Sequence, residues 1–301
     1  MSHNSKKSLL GVMLLVFSFL TSFSQIPVNG FYPQKNSFTL ASSYSYKSYD
    51  QFYRGTTLSE GNPAGLGEIT SSIISLYGQY AITNWLSTTL TLPYISIESK
   101  EGVLDPVLQT TQTDGIQDLG VFIKAKVLEK EFDNSSRINL GLASGVTFPI
   151  GNYDGAGVLS IGNEATAING SAIFQYNTPF HIFTEFQLGY SLRSSTNFDI
   201  PNAVVYNTKI GYYNKFFYLH AQLDIQNSFS GYDIGTPEFG NAGGAAILPE
   251  TEVDFTDLSF VFYIPIYKNN IGISAGYGTT LDGRNYNKHS SFSFGLVYTN
   301  Q

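Results

Sequence analysis

Residues 115–131, GIQDLGVFIKAKVLEKE, alternate without a break. Leu119, Val121, Ile123, Ala125 and Val127 fall on one side of an extended chain, and Asp118, Gly120, Phe122, Lys124 and Lys126 on the other. One face is apolar from end to end, while the other carries two ammonium groups near its middle. The same period of two recurs near 37–49, 69–82, 85–97, 117–128, 136–148, 165–176, 180–193, 203–213, 216–227, 253–266, 270–281 and 289–299. Beyond residue 24 no apolar run approaches the roughly 18 residues of a membrane-spanning helix. The longest, FVFYIPIY at 260–267, is interrupted by Pro265. The chain is built to make sheet.

The connections between these stretches alternate in length. Short turns fall at Thr83-Asn84, 177–179, Asn214-Lys215 and 268–270, with 129–135 an intermediate case, and long polar segments fall at 50–68, 98–116, 149–164 and 228–252. A transmembrane β-barrel sorts its connections in this way, with tight turns on the periplasmic side and long loops outside. Hydrocarbon offers backbone groups no partner, so a sheet there must close on itself, giving every strand one lipid face and one lumen face. A lysine on the lipid face at the midplane would cost about 2–4 kcal/mol. Lys124 and Lys126 are therefore expected to point inward. The fold expected is an all-β, antiparallel up-and-down transmembrane β-barrel of about 12 strands, between roughly 10 and 14.

Composition agrees. Charged residues are 13% of the chain and aromatic residues 15%, against about 25% charged in an average soluble domain. At the N-terminus, Lys6 and Lys7 precede an apolar stretch from Leu9 to Leu20, and Ser22 and Ser24 precede Gln25. This is the pattern of a secretory signal over 1–24, cleaved before a single barrel domain at 25–301. Cleavage would leave 14 basic against 23 acidic residues, a net charge of −9, which excludes nucleic acid as a partner. Without cysteine there is no disulfide and no thiolate metal site.

Three segments carry a family resemblance: YGQYAITNWLSTTLTLPYI (77–95), GIQDLGVFIKAKV (115–127) and INLGLASGVTFPIGNYD (138–154). In order and spacing they resemble the outer-membrane barrel family named for the meta-cleavage pathway of phenol degradation, which is grouped with the long-chain fatty-acid transporter barrels. The resemblance implies a transporter of small, often hydrophobic compounds, and no catalytic residue. Asp118 falls in that family's Gly-x-x-Asp-Leu element, and Pro93 and Pro149 in its Leu-Pro and Phe-Pro strand ends. NPAGLG (62–67) is similar to an Asn-Pro-Ala element of the fatty-acid transporters, where it belongs to a hatch before the first strand. Here it follows a strand and is expected to be a loop turn, with a hatch contact as the other reading.

Passage of a small hydrophobic or aromatic solute through the lumen is the leading functional expectation. The lumen-lining candidates are Lys124, Lys126, Glu185, Arg193, Lys209, His220 and Asp224, and a structural network of inward charges is the alternative role for each. A second reading is a binding barrel acting through its outer loops, above all 228–252, which carries the apolar AAIL (245–248) among the acids Asp233, Glu238, Glu250, Glu252 and Asp254. A third, weaker reading is a hydrolase. His220 and Asp224 share a face but stand about 13 Å apart along a strand, and no nucleophile or metal motif appears, so no catalytic residue, metal or cofactor is assigned. The partners expected are outer-membrane lipid, the solute and the barrel assembly machinery, with Tyr298 as the aromatic residue near the end of the last strand.

Overall fold

A computed structural model of the chain describes residues 27–267 and 270–300. The expected signal at 1–24 and two residues of the 268–270 turn lie outside that range. In chain order the strands are β1 (Phe38–Tyr49), β2 (Gln51–Arg54), β3 (Thr57–Glu60), β4 (Ile69–Ala81), β5 (Leu86–Ser99), β6 (Gln112–Ile116), β7 (Asp118–Glu131) and β8 (Arg137–Pro149). There follow β9 (Thr166–Asn177), β10 (Ile182–Ser194), β11 (Ala203–Tyr213), β12 (Tyr218–Ser228), the short helix α1 (Pro237–Ala242), β13 (Asp254–Tyr267), β14 (Ile271–Arg284) and β15 (Ser290–Asn300).

Twelve of these strands close into an antiparallel barrel. Each pairs with its neighbour in sequence, and the wall is sealed where β1 pairs with β15, from Phe38 opposite Asn300 to Ser48 opposite Ser290. The remaining three are additions at one end. β2 and β3 form a hairpin inside the 50–68 connection, and β6 lies on the edge of β5 beyond the point where β7 leaves it.

Alternation follows from closure. On β7 Ile123 is 55% exposed on the outer surface while Lys124 beside it is 1% exposed in the interior. Outward faces are apolar all round, as with Leu40, Leu90, Leu142, Ile168, Leu188, Ile210, Phe260 and Phe294. Trp85, Phe180 and Phe216, all exposed, mark the short-turn end, a placement common for aromatic residues at a membrane interface. A bulge between Lys126 and Leu128 inserts Val127 as an extra residue. Both Val127 and Leu128 are consequently exposed, and the strict alternation of β7 ends at Lys126.

Candidate functional site

The site is the lumen, and the chain itself fills much of it. At the turn end, residues 27–33 enter the barrel ahead of β1, burying Val28, Asn29 and Gly30. From β7 the Lys124 ammonium donates to the carbonyl oxygens of Asn29 and Phe31, each at 2.6 Å, and to Asn29 Oδ1 at 3.3 Å. From β10 the Glu185 carboxylate accepts the Gly30 N–H through Oε2 at 2.7 Å, and its Oε1 pairs with Lys209 Nζ of β11 at 3.0 Å. Lys124 thus has three oxygen acceptors, and Glu185 a backbone donor and a counter-charge, contacts that offset the cost of taking these groups out of water. The segment must pass close to the wall here: a Cβ on Gly30 would lie 2.8 Å from Gln175 Cβ and 3.1 Å from Glu185 Oε2. The Tyr32 ring lies 4.4 Å from Lys124 Nζ and 5.4 Å from Lys126 Nζ, and Lys126 also pairs with Glu129. Burial, and after it the Glu185 charge, pushes the Tyr32 hydroxyl well above the ordinary tyrosine value.

Midway, the Asp224 carboxylate of β12 accepts from Asn207 of β11 and from Gln222 Nε2, the latter at 2.7 Å. Lys47, Asp224, Asp257, Ser259 and His289 line a cavity of about 20 Å³, room for about one water. The His289 imidazole meets Thr280 Oγ1 at 2.8 Å, but that hydroxyl also donates to the Asn287 carbonyl at 3.1 Å. A hydroxyl donating elsewhere is not a nucleophile held by its base, so the hydrolase reading gains nothing from this pair. Among the described residues no group of three or more His, Asp or Glu side chains is arranged to hold a metal ion.

The loop end is apolar. Tyr49, Leu66, Ile69, Ile73, Ile95, Ile97, Leu159 and Ile161 form one buried cluster, in which Leu159 and Ile161 arrive from the 150–165 loop. Asp105, fully buried, ties this mouth together: its carboxylate accepts from Val107 N at 2.8 Å, Leu108 N at 3.1 Å and Leu159 N at 2.8 Å. Gly157 is required there, with a φ of +91° and its Cβ position only 2.9 Å from Leu108 Cγ. Asn62 of the NPAGLG element sits in this loop region, donating to the Tyr49 carbonyl, and Leu66 of the same element enters the cluster. It is a loop turn that contributes to closing the mouth.

Above lies the connection 229–253, held by one hub. Asn285, in a left-handed conformation with φ 49°, accepts from Gly55 N (2.9 Å) and Ile234 N (2.8 Å) and donates to Tyr232 O (3.1 Å) and Glu252 O (2.7 Å). Beside it Arg284 pairs with Asp233 at 2.7 Å and Glu252 at 2.6 Å. The Arg284 guanidinium holds the Asp233 carboxyl below the usual carboxylate range. Two acids expected on the rim are therefore tied down in ion pairs.

The other sequence candidates take definite places. Arg193, near the loop end of β10, donates to Gln226 Oε1 at 2.7 Å, and His220 lies inward on β12. Pro93, Asp118 and Pro149 come together on adjacent strands. Asp118 is registered with Pro149, while at Pro93 the partner of β5 changes from β7 to β6, with Gln117 N donating to the Pro93 carbonyl at 3.0 Å. Asp118 accepts a hydrogen bond from Tyr153 of the mouth loop. Sequence reasoning missed the inserted segment: Pro27 and Pro33 mark it as irregular chain, and nothing in its composition announces burial.

No protein-family model and no curated protein matches the chain by sequence. Among solved structures, an outer membrane channel from Pseudomonas putida aligns with a TM-score of 0.69 at 15% identity, covering 92% of this chain and 100% of that one. The NanC porin aligns with a TM-score of 0.52 at 11% identity, covering 86% of this chain and 98% of that one. At such identities the likeness speaks for architecture alone: the chain is a closed twelve-stranded antiparallel β-barrel, a fold it shares with outer-membrane barrels.

Proposed function

We propose that this barrel passes a small, largely apolar solute across the outer membrane by a gated route, and that it is not an open aqueous pore. The observation that carries the proposal is the occupied lumen. Residues 27–33 fill the turn end on the Lys124 and Glu185 contacts, and the Leu66–Leu159 cluster fills the loop end. A hydrated ion meeting that apolar mouth would lose its water without gaining a partner, whereas an apolar solute gains by burial there. The family resemblance and the channel architecture point the same way.

The test compares the folded chain with a variant lacking residues 27–33, by conductance in planar bilayers and by solute flux into proteoliposomes. The intact protein should pass uncharged arenes while carrying little ionic current, and the shortened variant should pass arenes faster while its ionic current stays low, because the apolar mouth is still in place. Large steady current from the intact protein would establish an open porin instead. A folded barrel that passes neither ions nor arenes in both forms would shift the function to binding by the outer loops.

A further inference from the structure

The turn end of the lumen holds an aromatic chamber whose occupant comes from the chain itself. The Phe31 ring meets Phe183 edge-on at 5.1 Å and Tyr213 at 6.4 Å; Phe183 in turn stacks on Tyr218 at 5.5 Å, and Tyr263 packs against the group. Phe183, Tyr213 and Tyr218 belong to the wall, whereas Phe31 is held through its backbone, by the Lys124 ammonium on its carbonyl oxygen. What the wall binds is therefore an aryl ring, two saturated carbons and a carbonyl oxygen, the skeleton of a 3-arylpropanoate. Beside the chamber, hydrogen-bonding capacity is left over. The Tyr218 hydroxyl, on a residue 2% exposed and with the His220 ring 5.2 Å from its own, meets no hydrogen-bond partner among the described residues. Buried polar groups in that condition are uncommon and call for an explanation.

We infer that this chamber is a binding site for an aromatic carboxylate, which displaces Phe31, lays its ring against Phe183 and Tyr213 and places its carboxylate on Lys124. Charge selects an acid over a neutral arene. When the segment withdraws, Glu185 keeps Lys209 at 3.0 Å and Lys126 keeps Glu129, but Lys124 loses all three of its acceptors. An unpartnered buried ammonium is strongly disfavoured, and a carboxylate restores two oxygens where two carbonyls stood. The Tyr218 hydroxyl remains to meet a polar substituent on the ring. The inference rests on the gated-route proposal in one respect, that the segment can leave, and adds the class of ligand that takes its place.

The probe is 3-phenylpropionate, titrated calorimetrically against the folded full chain in micelles, with 3-phenyl-1-propanol as its uncharged counterpart. The acid should bind in preference to the alcohol. Phe31→Ala, which removes the competing ring and leaves the Lys124 contacts, should tighten the acid about tenfold. Lys124→Met should abolish the preference for acid over alcohol. The inference is overturned if Phe31→Ala leaves affinity unchanged, or if acid and alcohol bind alike in the unmodified and Phe31→Ala proteins, two comparisons that do not require the Lys124 variant to fold. Flux of the alcohol in proteoliposomes separates the two proposals. Flux without selective acid binding overturns this inference alone, and selective binding without flux overturns the gated route alone.

Discussion

The Lys124 ammonium lies 2.6 Å from the main-chain oxygen of Phe31, a residue 93 positions earlier in the chain. That contact fastens an irregular segment to the barrel wall. Hydrogen bonds to a charged group contribute about 1.5–3 kcal/mol each, so losing about 3 kcal/mol would raise the withdrawn population about a hundredfold. Lys124→Met should therefore fold, remain heat-modifiable on gels, and show a large rise in arene flux into proteoliposomes. An unchanged flux would place the latch elsewhere.

Gly30→Val tests the same seat without touching a charge. The added carbons would collide with Gln175 Cβ and the Glu185 carboxylate, and the wall strands give little room to yield. Because the native chain has no cysteine, Val28→Cys introduces a single thiol into the lumen, where Val28 is buried. That thiol should be protected from a maleimide in the parent background and label at least about tenfold faster once Gly30→Val is added.

Asn285→Ala should free the 229–253 connection while leaving the barrel intact. Each of the hub's neutral hydrogen bonds contributes about 0.5–1.5 kcal/mol, and orphaned backbone groups add to the loss. Hydrogen exchange should rise at Tyr232, Ile234 and Gly55, and remain slow in β12 and β13. Equal exchange in the two proteins would show that Arg284 alone carries the lid.

The lid should also loosen in acid. Asp233 has its carboxyl held low in the folded protein by Arg284. Its contribution is then complete above the unfolded aspartate value of about 3.9 and is lost as pH falls through the depressed folded value. Exchange of the 229–253 amides, corrected for intrinsic rates, should stay flat down to about pH 4 and rise below it. A rise centred near neutrality would point to a histidine instead.

Ile123→Lys places on the outer face of β7 the group that Lys124 carries inside. The expected cost is about 2–4 kcal/mol if Ile123 sits near the bilayer midplane. It should appear as reduced folding yield and a lower urea midpoint in lipid vesicles. A cost below about 1 kcal/mol would move this position to the membrane interface.

The wall was readable because each step along a strand crosses between two environments. Ile123 and Lys124 can be sorted by period alone, and strand limits such as 216–227 against the observed Tyr218–Ser228 differ by a residue or two. Signals faded where that rule stops. β2 and β3 are four residues each, too short to display a period, and the Val127 bulge is invisible to one. The inserted segment was hidden for a different reason. Its burial depends on Lys124 and Glu185, 93 and 155 residues away, and no local pattern encodes a partner at that distance. The Asn285 hub is equally remote, since Asn285 reads locally as an ordinary turn residue.

The β1–β15 ladder has a consequence for timing. It joins residues near opposite ends of the described chain, whereas the other eleven ladders join neighbours in sequence. Contacts of such long separation form late. Until this one zips, β1 keeps a free edge, and residues 27–33, which lie just ahead of it, can swing in from the side. Once it has zipped, the turn end is their way in. The order of two events, the zipping of one ladder and the docking of seven residues, therefore decides whether the barrel is built around its stopper or receives it afterwards end-on.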